Sequence, residues 1–196
     1  MKKKYLVITL AFLFLIGCSN EVKEIKDSTL SSQQNQVDKP VMTFDDKYKL
    51  IYNNIQKDNS RDREELNAAE SIFKSNFEKT KKNIDLNQEI QVIPLSYSIS
   101  TNQNGSFLMF NIFVFNTSDK TIVDFHTNVN YSFLNNSFTD SHTLELRETE
   151  LQKIKSNEGV VISYGSDITG EPSEYFSNLN LEDVTIKLTD LTVTTE

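Results

Sequence analysis

Cysteine, histidine and glycine are all scarce in this chain of 196 residues: it holds one cysteine, two histidines and five glycines. A single cysteine excludes any disulfide within the chain, so the fold must be held by packing and hydrogen bonds. The two histidines, His126 and His142, do not share the spacing of a metal pair. Five glycines are too few for a Gly-rich phosphate loop, and no Gly-x-Ser-x-Gly elbow occurs. Positive charge is also short: 20 Lys and Arg stand against 28 Asp and Glu, for a formal net charge of −8. Nucleic acid and anionic lipid surfaces would repel such a chain. After the first 16 residues, no stretch is apolar enough to span a bilayer.

What is present begins at the N-terminus. Lys2, Lys3 and Lys4 precede a nearly unbroken apolar run, Tyr5 to Ile16, which ends in Leu15-Ile16-Gly17-Cys18. The run suits a signal peptide and is too short to cross a hydrocarbon core of roughly 30 Å. Leu15, Ile16, Gly17 and Cys18 resemble a bacterial lipobox. That resemblance implies cleavage after Gly17, a diacylglycerol and an N-acyl chain (palmitate or similar) on Cys18, and attachment to the outer face of the cell membrane. In a Gram-negative host, Ser19 after the cysteine would resemble an outer-membrane sorting signal; the abundance of Asn, Lys, Ile and Phe favours a Gram-positive host. Removal of residues 1–17 takes three lysines with it and leaves 17 basic and 28 acidic residues, a charge of −11. Residues 84–196 alone carry 5 basic and 16 acidic side chains.

Residues 18–42 read as a tether. Ser31-Ser32-Gln33-Gln34-Asn35-Gln36 and the scarcity of large apolar residues give too little buried surface to repay ordering. Two helices are then expected over a helical segment, 43–84. Phe44, Tyr48, Ile51 and Ile55 fall on one helical face, which predicts a helix over 43–57 with Thr43 as cap. A second is expected over 61–83, with Asp62, Glu64 and Glu65 near its start, Lys79, Lys81 and Lys82 near its end, and an apolar stripe of Leu66, Ala69, Ile72, Phe73 and Phe77.

From Glu89 the period changes to two, and residues 87–196 read as a β-sandwich. Ile93, Leu95, Tyr97 and Ile99 alternate with polar residues, and Pro94 marks an edge strand or a bulge. Phe107–Phe115 is apolar on both faces, which predicts a central strand covered on both sides. Leu108, Phe110, Ile112 and Val114 form one face; Phe107, Met109, Phe113 and Phe115 form the other, either packing against the helices or receiving a partner. Phe125, Thr127, Val129, Tyr131 and Phe133 give a half-buried strand. Shorter segments follow at His142–Leu146, Leu151–Ile154 and Val160–Tyr164. The last strand, Val184–Val193, changes phase near Thr189-Asp190, which predicts a bulge. Strands at this spacing imply a mainly β, two-sheet sandwich.

Ile112, Val114, Asn116, Thr117, Ser118, Asp119 and Lys120, followed by Val129, Tyr131 and Phe133, resemble the immunoglobulin-like domains of bacterial lipoproteins, such as the FxLYD type. The resemblance covers about residues 91–195. It implies an immunoglobulin-like sandwich that acts as a non-catalytic binding, adaptor or sensor module, and it supplies no site residues. The residues themselves leave one rival class, an envelope hydrolase using a His/carboxylate pair. His126 falls on the polar face of its strand, and His142 falls in a loop, Thr139-Asp140-Ser141-His142. Glu145, Glu148 and Glu150 lack the ladder of a Ca²⁺ loop. No catalytic residue, metal ligand or cofactor beyond the lipid is assigned. The expected partners are the membrane, through the lipid, and an envelope protein or ligand.

The lipobox reading makes a direct prediction. The wild-type protein should sediment with membranes and take up radiolabelled palmitate, whereas Cys18→Ala should do neither; membrane retention by the variant would remove the anchor assignment.

Overall fold

The structure, a computed structural model, describes residues 39–196. The signal peptide, the lipobox and residues 18–38 of the tether lie outside the described residues.

The organising strand is β4 (Gly105–Asn116). Its side chains alternate between two cores. Leu108, Phe110, Ile112 and Val114 point between two sheets, and Phe113 and Phe115 point the other way; all six are at most 1% exposed. β4 lies inside a five-stranded sheet of order β1-β2-β7-β4-β3, where β1 is Met42–Phe44, β2 Tyr48–Leu50, β3 Ile90–Asn102 and β7 Glu158–Asp167. The facing sheet has the order β6-β5-β8, with β5 Ile122–Phe133, β6 Thr139–Leu146 and β8 Val184–Thr195. The protein is thus mainly β, with two sheets in a sandwich.

The first core fills the sandwich. Ile90, Val92, Val160 and Tyr164 join the inner face of β4 and meet Phe125, Val129, Tyr131, Phe133, Leu144, Leu146 and Val184. Pro94 lies on an edge strand and beside a bulge that skips Leu95 in the β3–β4 register. The extra residue reverses the phase of β3. Ile93 and Leu95 face outward, whereas Tyr97 turns inward onto Phe110. The four residues Ile93, Leu95, Tyr97 and Ile99 therefore do not share a face, as plain alternation had suggested. In β8 the register against β5 breaks between Thr189 and Thr192, with Asp190 at φ 54°, so the bulge sits where the phase change predicts it.

The second core covers the outer face of the sheet. Two helices, α2 (Ser60–Ala68) and α3 (Glu70–Thr80), meet at a break at Ala69. They lay Leu66, Phe73 and Phe77 onto Ile93, Leu95, Phe113, Phe115 and Val161. Phe77 stacks on Phe44 with centroids 4.6 Å apart, and Phe44 and Tyr48 reach Phe113 and Phe115 at 5.0 and 4.8 Å. The Asn76 side chain donates to the carbonyl of the bulged Leu95 at 2.8 Å. Ile72 is not part of the buried stripe; it is 58% exposed.

The helix expected over 43–57 is replaced by a β-hairpin and a single helical turn, α1 (Asn54–Lys57). Asp45 and Asp46 both have positive φ, 49° and 52°, and Lys47 N–H donates to Phe44 O at 3.0 Å. This is the geometry of a tight hairpin turn, which short acidic side chains tolerate. Phe44 and Tyr48 share a face because they pair across the turn, not because a helix carries them. Ile55 is 54% exposed. The tether boundary also moves, since Met42 is a buried strand residue and Val41 packs on the second core.

β2 joins the sandwich through a two-residue parallel pairing, Lys49 with Glu158 and Leu50 with Gly159. Gly159 is needed there. A Cβ at that position would lie 2.4 Å from both Phe115 Cβ and Val114 O. The Leu151–Ile154 segment is not a strand. It comprises the end of α4 (Glu148–Leu151) and an isolated Ile122–Ile154 bridge.

Each core should be indispensable. Phe77→Ala is expected to cost ~3–5 kcal/mol in urea unfolding. The 87–196 fragment, stripped of its helices and hairpin, should aggregate; a soluble, cooperatively folded monomer would show that the second core is dispensable.

Candidate functional site

The residues singled out in the sequence do not converge on one place. Phe113 and Phe115 are buried under the helices and the hairpin. Phe107 and Met109, on the same face but nearer the β3–β4 turn, are only half-buried. Between the two pairs, Asn111 bridges the sheet, donating to Ser96 Oγ at 2.8 Å and accepting from Ser163 Oγ at 2.7 Å. His126 is exposed on β5, opposite Glu145 of β6 and Thr192 of β8. Glu145 pairs with Arg147 at 2.7 Å, and Glu148 N–H donates to Asp124 Oδ1 at 2.8 Å. No group of three or more His, Cys, Asp or Glu side chains among the described residues is placed to hold a metal ion.

His142 is on strand β6, not in a loop, and its side chain points into the sandwich. Its ring stacks on Tyr164 of β7, with centroids 3.3 Å apart and planes 9° apart, and faces Tyr131 of β5 at 5.3 Å. Tyr131 in turn stacks on Phe110 at 5.6 Å. Tyr164 Oη donates to Asp140 Oδ2 at 2.6 Å. Among the described residues neither nitrogen of His142 has a hydrogen-bond partner, and both are shielded from solvent. Burial pushes the imidazole pKa down to about 4, partly offset by the Asp140 charge. Burial likewise pushes both the Tyr131 and the Tyr164 hydroxyls up. At neutral pH this is an uncharged aromatic ladder joining the two sheets.

A site that sequence patterning missed lies where β5 ends and β8 begins. The β5–β6 turn and the long β7–β8 connection enclose a cleft of about 360 Å³, lined by Phe133, Asn135, Asn136, Glu174, Tyr175, Asn178, Leu179, Asn180 and Asp183. Its floor is fixed by the core. Phe176 of α5 (Glu174–Ser177) meets Phe133 and Phe138 edge-on at 6.2 and 5.3 Å. Leu179 and Leu181 are buried, and Leu179 O accepts from Tyr97 Oη at 2.7 Å. Leu134 N–H donates to Asp183 O at 2.9 Å, which ties the two loops together. Asn136 is spent on the frame, donating to Tyr175 O and accepting from Phe138 N–H. Asn135 Nδ2 donates to Asp183 Oδ2 at 2.8 Å. The side chains of Asn178, Glu174 and the Tyr175 hydroxyl make no hydrogen bond to any described residue, and Asn180 uses only its oxygen, toward Glu182 N–H. The cleft therefore presents amide, carboxyl and hydroxyl groups on a rigid floor, with no basic residue in its lining.

A second cleft of about 250 Å³, lined by Ile72, Asn76, Lys79, Ser96, Tyr97, Leu179, Asn180 and Leu181, lies on the other side of the Leu179-Asn180 ridge. The only sequence signals for either were the Asn135-Asn136 turn and the length of the connection after β7, where binding residues tend to gather. No helix among the described residues is long and apolar enough to cross a membrane. Comparison of the chain with protein-family models, with curated proteins and with solved structures finds no match.

The ladder gives a pH prediction. The folded state holds His142 neutral down to about pH 4, whereas the unfolded chain protonates it near 6.5. The stability it contributes is complete above pH 6.5 and is lost as the pH falls toward 4. Urea unfolding should therefore weaken from pH 7 to pH 5, and His142→Phe should flatten that slope; an unchanged slope would show that the imidazole is already charged in the fold.

Proposed function

We propose that the protein is a lipid-anchored, extracytoplasmic binding module without catalytic activity, whose ligand end is the cleft between the β5–β6 turn and the β7–β8 connection. Cys18 carries the lipid, and the residues after it lead to the fold. The observation that carries the reading is the position of the cleft. The chain enters the fold at Met42, which pairs with Leu50, itself level with Gly159 and Phe115 at one end of the strands. The cleft is built around Phe133, at the opposite end of β5 from Ile122, whose partner Ile154 lies close to that entry. The entry at Met42 and the cleft thus sit at opposite ends of the strands, an arrangement that suits presentation of the cleft away from the N-terminal side.

The chemistry of the histidines favours binding over hydrolysis. His142 is stacked, neutral and without a hydrogen-bonded carboxylate, so it lacks the oriented proton acceptor that a His-dependent nucleophile requires. The half-buried Phe107 and Met109 add a smaller apolar surface on the outer sheet. The partner on this reading is an envelope component, and the acidic surface disfavours nucleic acid.

Sedimentation with isolated cell envelopes tests the reading, using the unlipidated Cys18→Ala chain. Binding should survive His142→Phe and fall when Asn178→Ala and Asn180→Ala are combined. Loss of binding with His142→Phe alone, or no effect of the paired asparagine changes, would count against a cleft-based binding module.

A further inference from the structure

We infer that the cleft takes a neutral oligosaccharide, a proposal that rests on the binding-module reading and narrows it to a ligand class. Three features of the lining point the same way. The first is the balance of hydrogen-bonding groups. Primary amides present a donor and an acceptor side by side, which matches the adjacent hydroxyls of a sugar ring. Asn178 is uncommitted within the described protein, Asn180 keeps its amide nitrogen free, and Asn135 keeps its oxygen. Asp183 Oδ1 and the Glu174 carboxylate add acceptors for hydroxyl protons.

The second feature is charge. Glu174 and Asp183 line the cleft without a basic residue beside them. Within this cleft a phosphate, sulfate or other anionic group would be repelled and left without a counter-charge; the basic residue on the path, Lys79, lines the second cleft. An apolar ligand would desolvate several amides with no partner in return.

The third feature is shape. Tyr175 is half-buried and packs against Phe176 at 6.2 Å with the two rings near perpendicular, and its hydroxyl makes no hydrogen bond to a described residue. A tyrosine ring offers a flat apolar platform with a polar tip, which suits the C–H face of a pyranose. The 360 Å³ cleft adjoins the 250 Å³ cleft across Leu179 and Asn180, which line both. A ligand that follows this path is a chain of similar units rather than one ring. The lining is open and largely exposed, as suits a ligand whose outer hydroxyls stay hydrated. The Asn180 amide, on the shared ridge, is placed to contact two successive units.

The test is an NMR titration of the full-length chain in detergent, following the side-chain amide protons of Asn178 and Asn180. The probes are chitotetraose, maltotetraose, the corresponding monosaccharides, calcium chloride and sodium phosphate. At least one tetrasaccharide should shift these resonances saturably and bind more tightly than its monosaccharide. Asn178→Ala, an exposed change that leaves the melting curve in place, should weaken that affinity about tenfold. Tyr175→Leu, which keeps an apolar contact with the core, should do the same. The inference is overturned if neither tetrasaccharide shifts the amides, if calcium or phosphate alone does so, or if Asn178→Ala binds as wild type. If saccharides fail while envelope sedimentation still depends on Asn178 and Asn180, the binding module stands and only the ligand class falls. If envelope sedimentation ignores those residues as well, both readings fall.

Discussion

The pair Phe113 and Phe115 imposes the constraint on which the rest of the architecture depends. They alternate with Ile112 and Val114 on a strand that has no polar face, so a two-layer sandwich would leave two phenyl rings in water. The remedy is a third layer made from the N-terminal part of the chain. Phe44, Tyr48 and Phe77 close over the two rings in a tight aromatic cluster, and Leu66 and Phe73 extend the cover. The described residues N-terminal to β3 supply this cover through a hairpin with a left-handed Asp45-Asp46 turn and two helices that break at Ala69. The ion pairs that decorate the cover, such as Lys81 with Asp45 at 2.9 Å, are exposed and add little.

The sandwich was legible in the sequence because its strands are long and their alternation is clean. β4 as a central strand, β5 as a half-buried one, the irregularity at Pro94 and the bulge near Thr189-Asp190 all follow from period-two patterning and one imino acid. The hairpin was not legible, for a specific reason. Residues 44 and 48 sit on one face both of a helix and of a hairpin with a short turn, so spacing alone does not separate them. Asp45 and Asp46 held the discriminating information, because two short acidic residues at that point permit left-handed backbone. The phase reversal at Leu95 escaped because a bulge leaves the apolar residues in place while changing the face they occupy.

The cleft was invisible for a different reason. Its walls come from two connections about forty residues apart in the chain, and neither has a period. In sequence, Asn135 and Asn136 are simply a turn, and Asn178 and Asn180 are simply polar. Only the fold brings them together, through the hydrogen bond from Leu134 to Asp183 and the burial of Phe176, Leu179 and Leu181. His142 shows the reverse. Its neighbours in sequence suggested a polar loop, whereas the strand pairing of β5 and β6 turns the imidazole into an aromatic stack. Membership of a strand, rather than local composition, decided its chemistry.

The parallel contact between β2 and β7 carries a consequence for the order of assembly. A chain synthesised from its N-terminus delivers the hairpin and helices first, but β2 has only β1 to pair with until Glu158 and Gly159 arrive, more than a hundred residues later. Closing so long a loop is slow, and the apolar faces of the early elements remain uncovered meanwhile. Until β7 docks, the helices and hairpin are therefore a waiting half-core with their apolar faces exposed. Docking of β7 contributes to both cores in one step, since Val160 belongs to the first and Val161 to the second, and Phe176, Leu179, Leu181 and Val184 then close the first.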